Sequence, residues 1–421
     1  MLKAAPQTKV TPSGARAVAR CNLLGVAPYS DMEGGLYRAW LTPAHAAALD
    51  ALTGWMEAAG MQVRRDAMGN LIGRYEGLKK GARTVLIGSH IDSVRDAGFY
   101  DGPLGVMLGI ECVAELHRRG QRLPFTIEVV AFGDEEGSRF PAAMLTSRAL
   151  AGTLDPAMLA LRDAEGISLD DAMRAFGLDP ALVLEAAMTQ PPLAYFEAHI
   201  EQGPVLEAEG LALGVVTGIA AQARYRFDLK GTAGHAGTSI MALRRDALAA
   251  AAELILAIER IASEGPEDLV ATVGYIEARP GAENVIPGQA TLSLDVRALA
   301  AKTRDAASTA ILAEAEAIAA RRDIELQATC MHELPGAPCD PALVEAMAHV
   351  LKDLGHVPRR LASGAGHDAM VMAEMCPTAM LFLRCAGGIS HNPAESVALA
   401  DADAALTAML TFIERLGEKF A

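Results

Sequence analysis

Short apolar runs recur along the chain, and several give way to a loop holding a histidine or a carboxylate. Thr84-Val85-Leu86-Ile87 leads into Gly88-Ser89-His90-Ile91-Asp92, and Ile127-Glu128-Val129-Val130-Ala131-Phe132 into Asp134-Glu135-Glu136-Gly137. Ala379-Met380-Leu381-Phe382-Leu383 leads, past a glycine turn, to Ser390-His391-Asn392-Pro393. Three more stretches carry the same kind of residue: Tyr100-Asp101-Gly102, His199-Ile200-Glu201-Gln202-Gly203 and Gly366-His367-Asp368. Short apolar runs bounded by turn signals read as buried strands. Helical spacing over 43–59 and 103–117 alternates with strands at 61–65 and 83–87, which predicts an α/β fold. Pro103 suits the first turn of its helix, and Asp101 precedes that helix near its positive end. The alanine-rich residues 151–190 are expected to be helical, an insertion packed on the core.

From about Ala221 the pattern changes. Residues 224–230 alternate as a strand, 244–262 form a long helix, and 270–277 and 290–297 are strands. A second helix over 302–320 and a strand over 324–329 complete a β-α-β-β-α-β order, the split ferredoxin-like unit. Residues 221–330 are therefore expected to be an inserted α+β domain. Residues 1–220 and 331–421 would form the mixed-sheet catalytic domain, with Pro335-Gly336-Ala337-Pro338 marking the return.

Composition narrows the function. The 421 residues carry a formal net charge of −15 and show no basic stripe, which argues against a nucleic-acid partner. An anionic substrate must then find local positive charge. Six cysteines without a C-x-x-C pair fit reduced thiols in a cytoplasmic protein. Met1–Lys9 lacks the apolar core of a signal peptide, and no apolar run approaches membrane-spanning length.

In an open α/β sheet, ligands bind beyond the carboxyl ends of the strands. Histidines and carboxylates gathered there suit a pair of metal ions about 3.5–4 Å apart that clamp a water and a developing oxyanion. Asp101 is the candidate bridge, with His90 and His199 completing one shell and Glu136 and His391 the other. That donor set suits zinc, manganese or cobalt. Asp92 is placed to orient His90 from behind, and Glu135 is left free as general base. Taken singly, each loop reads as an ordinary turn or solvated acidic stretch; their coincidence in one α/β pattern carries the reading. His45, His117, His332, His349 and His356 lie in helical, terminal or polar contexts and are assigned no role.

The motifs Gly88-Ser89-His90-Ile91-Asp92-Ser93, Tyr100-Asp101-Gly102-Pro103-Leu104-Gly105-Val106, Glu135-Glu136-Gly137-Ser138-Arg139-Phe140, His199-Ile200-Glu201-Gln202-Gly203, Gly234-His235-Ala236-Gly237-Thr238, Ser363-Gly364-Ala365-Gly366-His367-Asp368-Ala369 and Ser390-His391-Asn392-Pro393-Ala394-Glu395 together resemble the hydantoinase/carbamoylase branch of the aminoacylase and carboxypeptidase metallopeptidases. The likeness runs from about Arg20 to Leu416. It implies two divalent ions per subunit, zinc or manganese with cobalt or nickel as alternatives, on the residues named above. It implies His235 as an oxyanion partner, Gln202 near a ureido group, and Asn284, Arg297, Gly366 and His367 as substrate contacts, with Asn284 and Arg297 on its carboxylate. Arg297 has the fork geometry for such a grip. The likeness further implies a cis Asp101–Gly102 peptide and a homodimer through the inserted domain, whose sheet edges would otherwise lie open. Thr238-Ser239-Ile240-Met241, where a threonine–proline pair is usual, and Arg95-Asp96-Ala97-Gly98 depart from the pattern. The expected activity is release of ammonia from a small anionic ureido acid, allantoate first. N-carbamoyl-L-amino acids and N-carbamoyl-β-alanine are the alternatives. An aminoacylase or peptidase, or a non-catalytic relative, fits the His199 and Gln202 pair and the complete ligand set less well.

Overall fold

The computed structural model describes residues 13–420, so the Met1–Lys9 stretch read above lies outside the described residues. The chain divides into two compact units. One holds the chain through Thr217 with Cys339–Leu361 and His367 onward; the other holds Gly218–Pro338 and Ala362–Gly366.

The first unit is built on a mixed sheet. Its strands run in the order Gln62–Arg65, Leu71–Tyr75, Thr126–Phe132, Thr84–His90, Ala194–Ile200, Thr378–Leu383, Leu213–Ile219. The four central strands, from Thr126–Phe132 to Thr378–Leu383, are mutually parallel, and the flanking ones are antiparallel. Every residue of Thr84–His90, Thr126–Phe132 and Ala194–Ile200 is buried. This explains why they read as apolar runs rather than alternating ones, because both faces of a parallel sheet are covered. Polar residues in these strands are confined to a few positions, and those positions turn out to matter.

The Pro103–Arg118 helix packs on the central strands Thr84–His90, Thr126–Phe132 and Ala194–Ile200. Proline at its first turn costs no hydrogen bond. Gly105 lets the helix approach: a Cβ there would stand 2.1 Å from the Ala198 carbonyl oxygen. On the helix, the fully buried Glu111 accepts Arg20 Nη1 at 2.8 Å and also pairs with Arg16, pinning the Gly14–Leu24 helix.

The second unit has the β-α-β-β-α-β order. Its antiparallel sheet runs Ile276–Arg279, Gln289–Ala298, Ala221–Lys230, Glu325–Leu334, and the helices Ala247–Ser263 and Ala301–Arg322 share one apolar core with it. Along Gln289–Ala298 burial alternates residue by residue, so one face meets the helices and the other stays open. The single strand expected over 270–277 is two, Val270–Thr272 and Ile276–Arg279, separated around Gly274 and both paired to Gln289–Ala298. Residues 151–190 also differ from expectation. They hold one eight-residue helix, Leu169–Phe176, between 3-10 turns at Pro156–Ala160 and Pro180–Ala186. Asp155-Pro156, Gly177 and Asp179-Pro180 interrupt the helical ladder before alanine propensity can extend it.

The tight helix–strand approach yields a test. Gly105→Ala is expected to destabilise the fold by about 1–3 kcal/mol through overpacking, read as a lowered denaturant midpoint. An unchanged midpoint would show that the helix can back away freely.

Candidate metal centre

The parallel register brings the ligand loops side by side. His90 stands opposite Phe132, and Ile87 opposite Phe196, so three residues further on His90 lies beside His199. The two imidazoles stack with centroids 5.7 Å apart. Phe382 pairs with His199 on the other side. The Asp134–Glu136 loop follows the Thr126–Phe132 strand, and Ser390–His391 follows Thr378–Leu383. Four strand ends thus open on one rim, as the topological rule requires.

Asp101 sits between the two sets. Its Oδ1 lies 3.2 Å from His199 Nε2 and 3.7 Å from His90 Nε2. Its Oδ2 lies 3.1 Å from His391 Nε2, which is 3.6 Å from Glu136 Oε1. Glu135 Oε2 stands 3.9 Å from His90 Nε2. Two clusters result, His90–Asp101–His199 and Asp101–Glu136–His391, and in each the donor atoms fall within 4.8 Å of one another. Asp101, His90, His199 and Glu135 are buried, whereas His391 faces the opening.

The surroundings fix these side chains. His90 Nδ1 lies 3.1 Å from the Asp92 carbonyl and His199 Nδ1 2.9 Å from the Ile200 carbonyl. Each Nδ1 therefore carries a proton, and each Nε2 points toward Asp101. The Asp92 carboxylate does less for His90 than expected, lying 3.5 Å from its Nδ1. It accepts instead the backbone N–H of Glu135 at 3.1 Å and of Glu136 at 3.2 Å, and so shapes the acidic loop. The Asp101–Gly102 peptide is trans, contrary to expectation; among the described residues the cis bonds are Ala27–Pro28 and Arg279–Pro280. Gly102 turns the chain by its φ of +83° instead, and a Cβ there would meet the His90 ring at 2.4 Å.

The electrostatics favour cations. Burial would push the Asp101 carboxyl up, but His199, His391 and His90 against it hold it well below the usual carboxylate range. Burial pushes Glu135 well above its ordinary value. It also pushes Glu136 to about 7, with Asp101 beside it adding to the shift. The hydrogen bond to Asp101 raises His391 to about 9. His199 Nε2, fully buried, makes no hydrogen bond of good geometry. Carboxylates that resist ionising together, packed against three imidazoles, are a donor set that divalent ions satisfy, and the nitrogen–oxygen mixture suits zinc or manganese.

Around Asp101 Oδ2 lie two further groups. Gln202 Nε2 donates to it at 2.8 Å and Ser390 Oγ at 2.7 Å. Gln202 and His391 both hold positive φ, +56° and +54°, a strained backbone typical of functional sites. His367 packs edge-on against His199 with centroids 4.4 Å apart, and burial with His199 beside it keeps its imidazole well below the ordinary histidine range. Gly366, before it, belongs to the second unit.

His235, Asn284 and Arg297 also belong to the second unit. His235 is exposed, and its Nδ1 accepts the Gly237 N–H at 3.0 Å, which leaves Nε2–H as a donor. Gly234–His235 pairs with Val285–Ile286, and Ala236 N donates to the Asn284 carbonyl at 2.9 Å, so Asn284 adjoins His235. Arg297 lies elsewhere. It is near the far end of the Gln289–Ala298 strand, and its Nε and Nη2 each reach the Asp295 carboxylate at 2.9 Å. At about 3.3 Å per residue, eight residues of extended strand separate Arg297 from Gln289 by more than 20 Å. Arg297 thus stands near the opposite end of that strand from Gln289, the end nearer to Asn284 in sequence. Sequence reasoning also gave no role to Ser390 or Glu395, which adjoin Asp101. Their signal was a polar residue beside a ligand and an acid in the same loop.

The sequence profile of Peptidase family M20/M25/M40 matches residues 86–415. An N-carbamoyl-L-amino acid amidohydrolase of Geobacillus stearothermophilus is 46% identical over 363 residues, covering 86% of this chain and 88% of its own. Allantoate deiminase 1 of Glycine max is 38% identical over 431 residues, covering 95% and 89%. The crystal structure of an amidase of the hydantoinase/carbamoylase family from Burkholderia multivorans superposes with a TM-score of 0.89 at 32% identity, covering 96% of this chain and 98% of that one.

The two acids of one loop can be separated by experiment. Glu135→Gln is expected to keep bound metal and lose about 10²–10⁴ in turnover, the usual worth of a general base. Glu136→Gln is expected to lose metal. If elemental analysis shows the reverse, the two roles are exchanged.

Proposed function

The chain belongs to peptidase family M20/M25/M40, and from that premise we propose a metal-dependent amidohydrolase that cleaves the terminal C–N bond of a ureido acid. The carrying observation is Gln202. Asp101 demands a donor, so the Gln202 amide turns its nitrogen to that carboxylate and its Oε1 the other way, where Oε1 is buried without a hydrogen-bond partner. A buried lone acceptor beside the candidate centre fits the N–H of a carbamoyl group, and leaving it unmade is costly.

His90, Asp101 and His199 would hold one ion and Asp101, Glu136 and His391 the other, zinc or manganese being the best fit. Such a pair lowers the pKa of a water and polarises a carbonyl oxygen. Glu135 takes the proton of the attacking water and returns it to the departing nitrogen, which leaves as ammonia. The carbamate left behind loses carbon dioxide. His235 Nε2–H is the donor for the developing oxyanion.

The first choice of substrate is allantoate. N-carbamoyl-L-amino acids are the second reading, favoured by the 46% identity to a relative with that name. Both are anions, so Arg297, whose Nε and Nη2 meet Asp295 and whose Nη1 donates to the Gly364 carbonyl, is the proposed carboxylate contact, the substrate taking over part of that set. The molecule is proposed to act in the cytoplasm. Its six cysteines are free, and no helix among the described residues is long and apolar enough to cross a membrane.

We further propose a homodimer that shares its sites. His235 and Asn284 lie outside the Gln289–Ala298 strand and Arg297 near its far end, a spacing that two chains supplying one site would accommodate. The Ala247–Ser263 helix exposes Leu248 and Leu256 two turns apart, with Met241 and Leu243 just before it. Glu325–Leu334 is an open sheet edge. Exposed apolar side chains and an unpaired edge are each features a second copy would cover.

Two outcomes are expected. Ammonia release should be high for allantoate and lower for N-carbamoyl-L-amino acids and N-carbamoyl-β-alanine, while N-acetyl amino acids and dipeptides, followed by the free amino acid they would liberate, should not be cleaved. Activity confined to the last two would replace the ureido reading with an aminoacylase or peptidase. Mixing inactive His235→Ala and Glu135→Gln chains should restore activity, because one site of each mixed dimer then has native Glu135 and native His235. Mixed dimers that stay inactive would place His235 in its own subunit's site.

A further inference from the structure

Glu395 is part of a loop whose histidine is a candidate ligand, yet the chemistry above gives it no task. It is buried, 6% exposed, and lies 294 residues from Asp101 in sequence. One of its oxygens, Oε1, accepts the backbone N–H of Tyr100 at 2.8 Å and of Asp101 at 3.2 Å. The other, Oε2, lies 3.2 Å from Ser390 Oγ, the hydroxyl that also reaches Asp101 Oδ2 at 2.7 Å. The carboxylate thus spans from the backbone that carries Asp101 to the residue just before His391. Space is kept for it: a Cβ on Gly98 would stand 2.3 Å from the Glu395 side chain. No arginine or lysine among the described ion pairs reaches Glu395, so its burial is offset by these hydrogen bonds alone.

We propose that Glu395 is a positioning residue, a clamp that sets the distance between Asp101 and His391 and so shapes the cluster completed by Glu136. The need follows from chain topology. Asp101 stands before a helix that follows the Thr84–His90 strand, whereas His391 sits in an open loop after Thr378–Leu383. His90 and His199 are held in register by neighbouring strands, but no backbone ladder ties Asp101 to His391. His391 is also the exposed member of the set, with 49% of its side chain accessible. A ligand loop without a ladder needs a side-chain tie, and residues behind the ligands typically change metal affinity or activity by about 10–100-fold when removed. Ser390 belongs to the same tie: its single proton is shared between Glu395 and Asp101, which fixes the His391 loop against the bridging carboxylate.

The proposal rests on the reading that Asp101 and His391 hold an ion, and the test separates the two. Apo-protein is titrated with Zn²⁺ or Mn²⁺ alone against a competing chelator, for the native chain, Glu395→Ala, Glu395→Gln and Ser390→Ala. The native chain is expected to take up two ions of unequal affinity. Glu395→Ala should weaken one of them by about 10–100-fold and lower kcat with KM little changed. Glu395→Gln should remain close to native in affinity, because Oε1 still accepts both N–H groups and the new amide can donate to Ser390 Oγ. Ser390→Ala should weaken the same ion, and it keeps the question open to test if Glu395→Ala does not fold. Native affinity in both Ala variants overturns the proposal alone. A Gln variant as weak as Ala overturns the clamp, since charge rather than hydrogen bonding would then be responsible. A native chain that binds no ion pair removes the metal reading and the proposal with it.

Discussion

One buried carboxylate constrains the catalytic unit. Asp101 turns one oxygen to His90 and His199 and the other toward His391, with Glu136 behind. A carboxylate so far from water is costly unless cations or donors surround it. Here three imidazoles, Gln202 and Ser390 close around it. Gly102, with its φ of +83°, and the strained backbones of Gln202 and His391 stand around it.

The sheet makes such a cluster possible. Parallel strands deliver their ends to one edge, so residues far apart in sequence meet without any being mobile. The helix after Asp101 turns its positive end to the same edge, and Gly105 lets it seat closely enough to do so. Rigidity of this kind is what a site needs if its ligands are to be held within a fraction of an ångström. The inserted unit follows a different logic. Its sheet has one open face and an open edge, and Arg297 lies on its Gln289–Ala298 strand whereas His235 and Asn284 lie outside that strand.

Much of this was legible in the sequence, for physical reasons that can be named. Buried parallel strands read as apolar runs, so Thr84–His90, Thr126–Phe132 and Ala194–Ile200 announced themselves, and with them the loops at their ends. The βαββαβ order was equally plain, because its strand and helix periods alternate. The break between Val270–Thr272 and Ile276–Arg279 was hidden because one glycine in a strand pattern does not fix where pairing stops. Residues 151–190 were misread because alanine propensity was given more weight than the prolines and glycines that interrupt it. What the sequence could not show was direction. Nothing in Gly88-Ser89-His90-Ile91-Asp92 tells that the Asp92 carboxylate would hold the acidic loop as well as lie against His90. Asn284 and Arg297 sit only thirteen positions apart, and only the extended strand between them reveals how far apart they lie. Glu395 and Ser390 were quoted within a motif, but a carboxylate that clamps backbone N–H groups has no sequence signature.

The central claim is that Asp101 bridges two ions. Anomalous diffraction at the metal edge, on crystals loaded with zinc or manganese, tests it directly. Two peaks about 3.5–4 Å apart, one within bonding distance of each Asp101 oxygen, are the expected result. A single peak, or two peaks that leave Asp101 bound to only one, would contradict it.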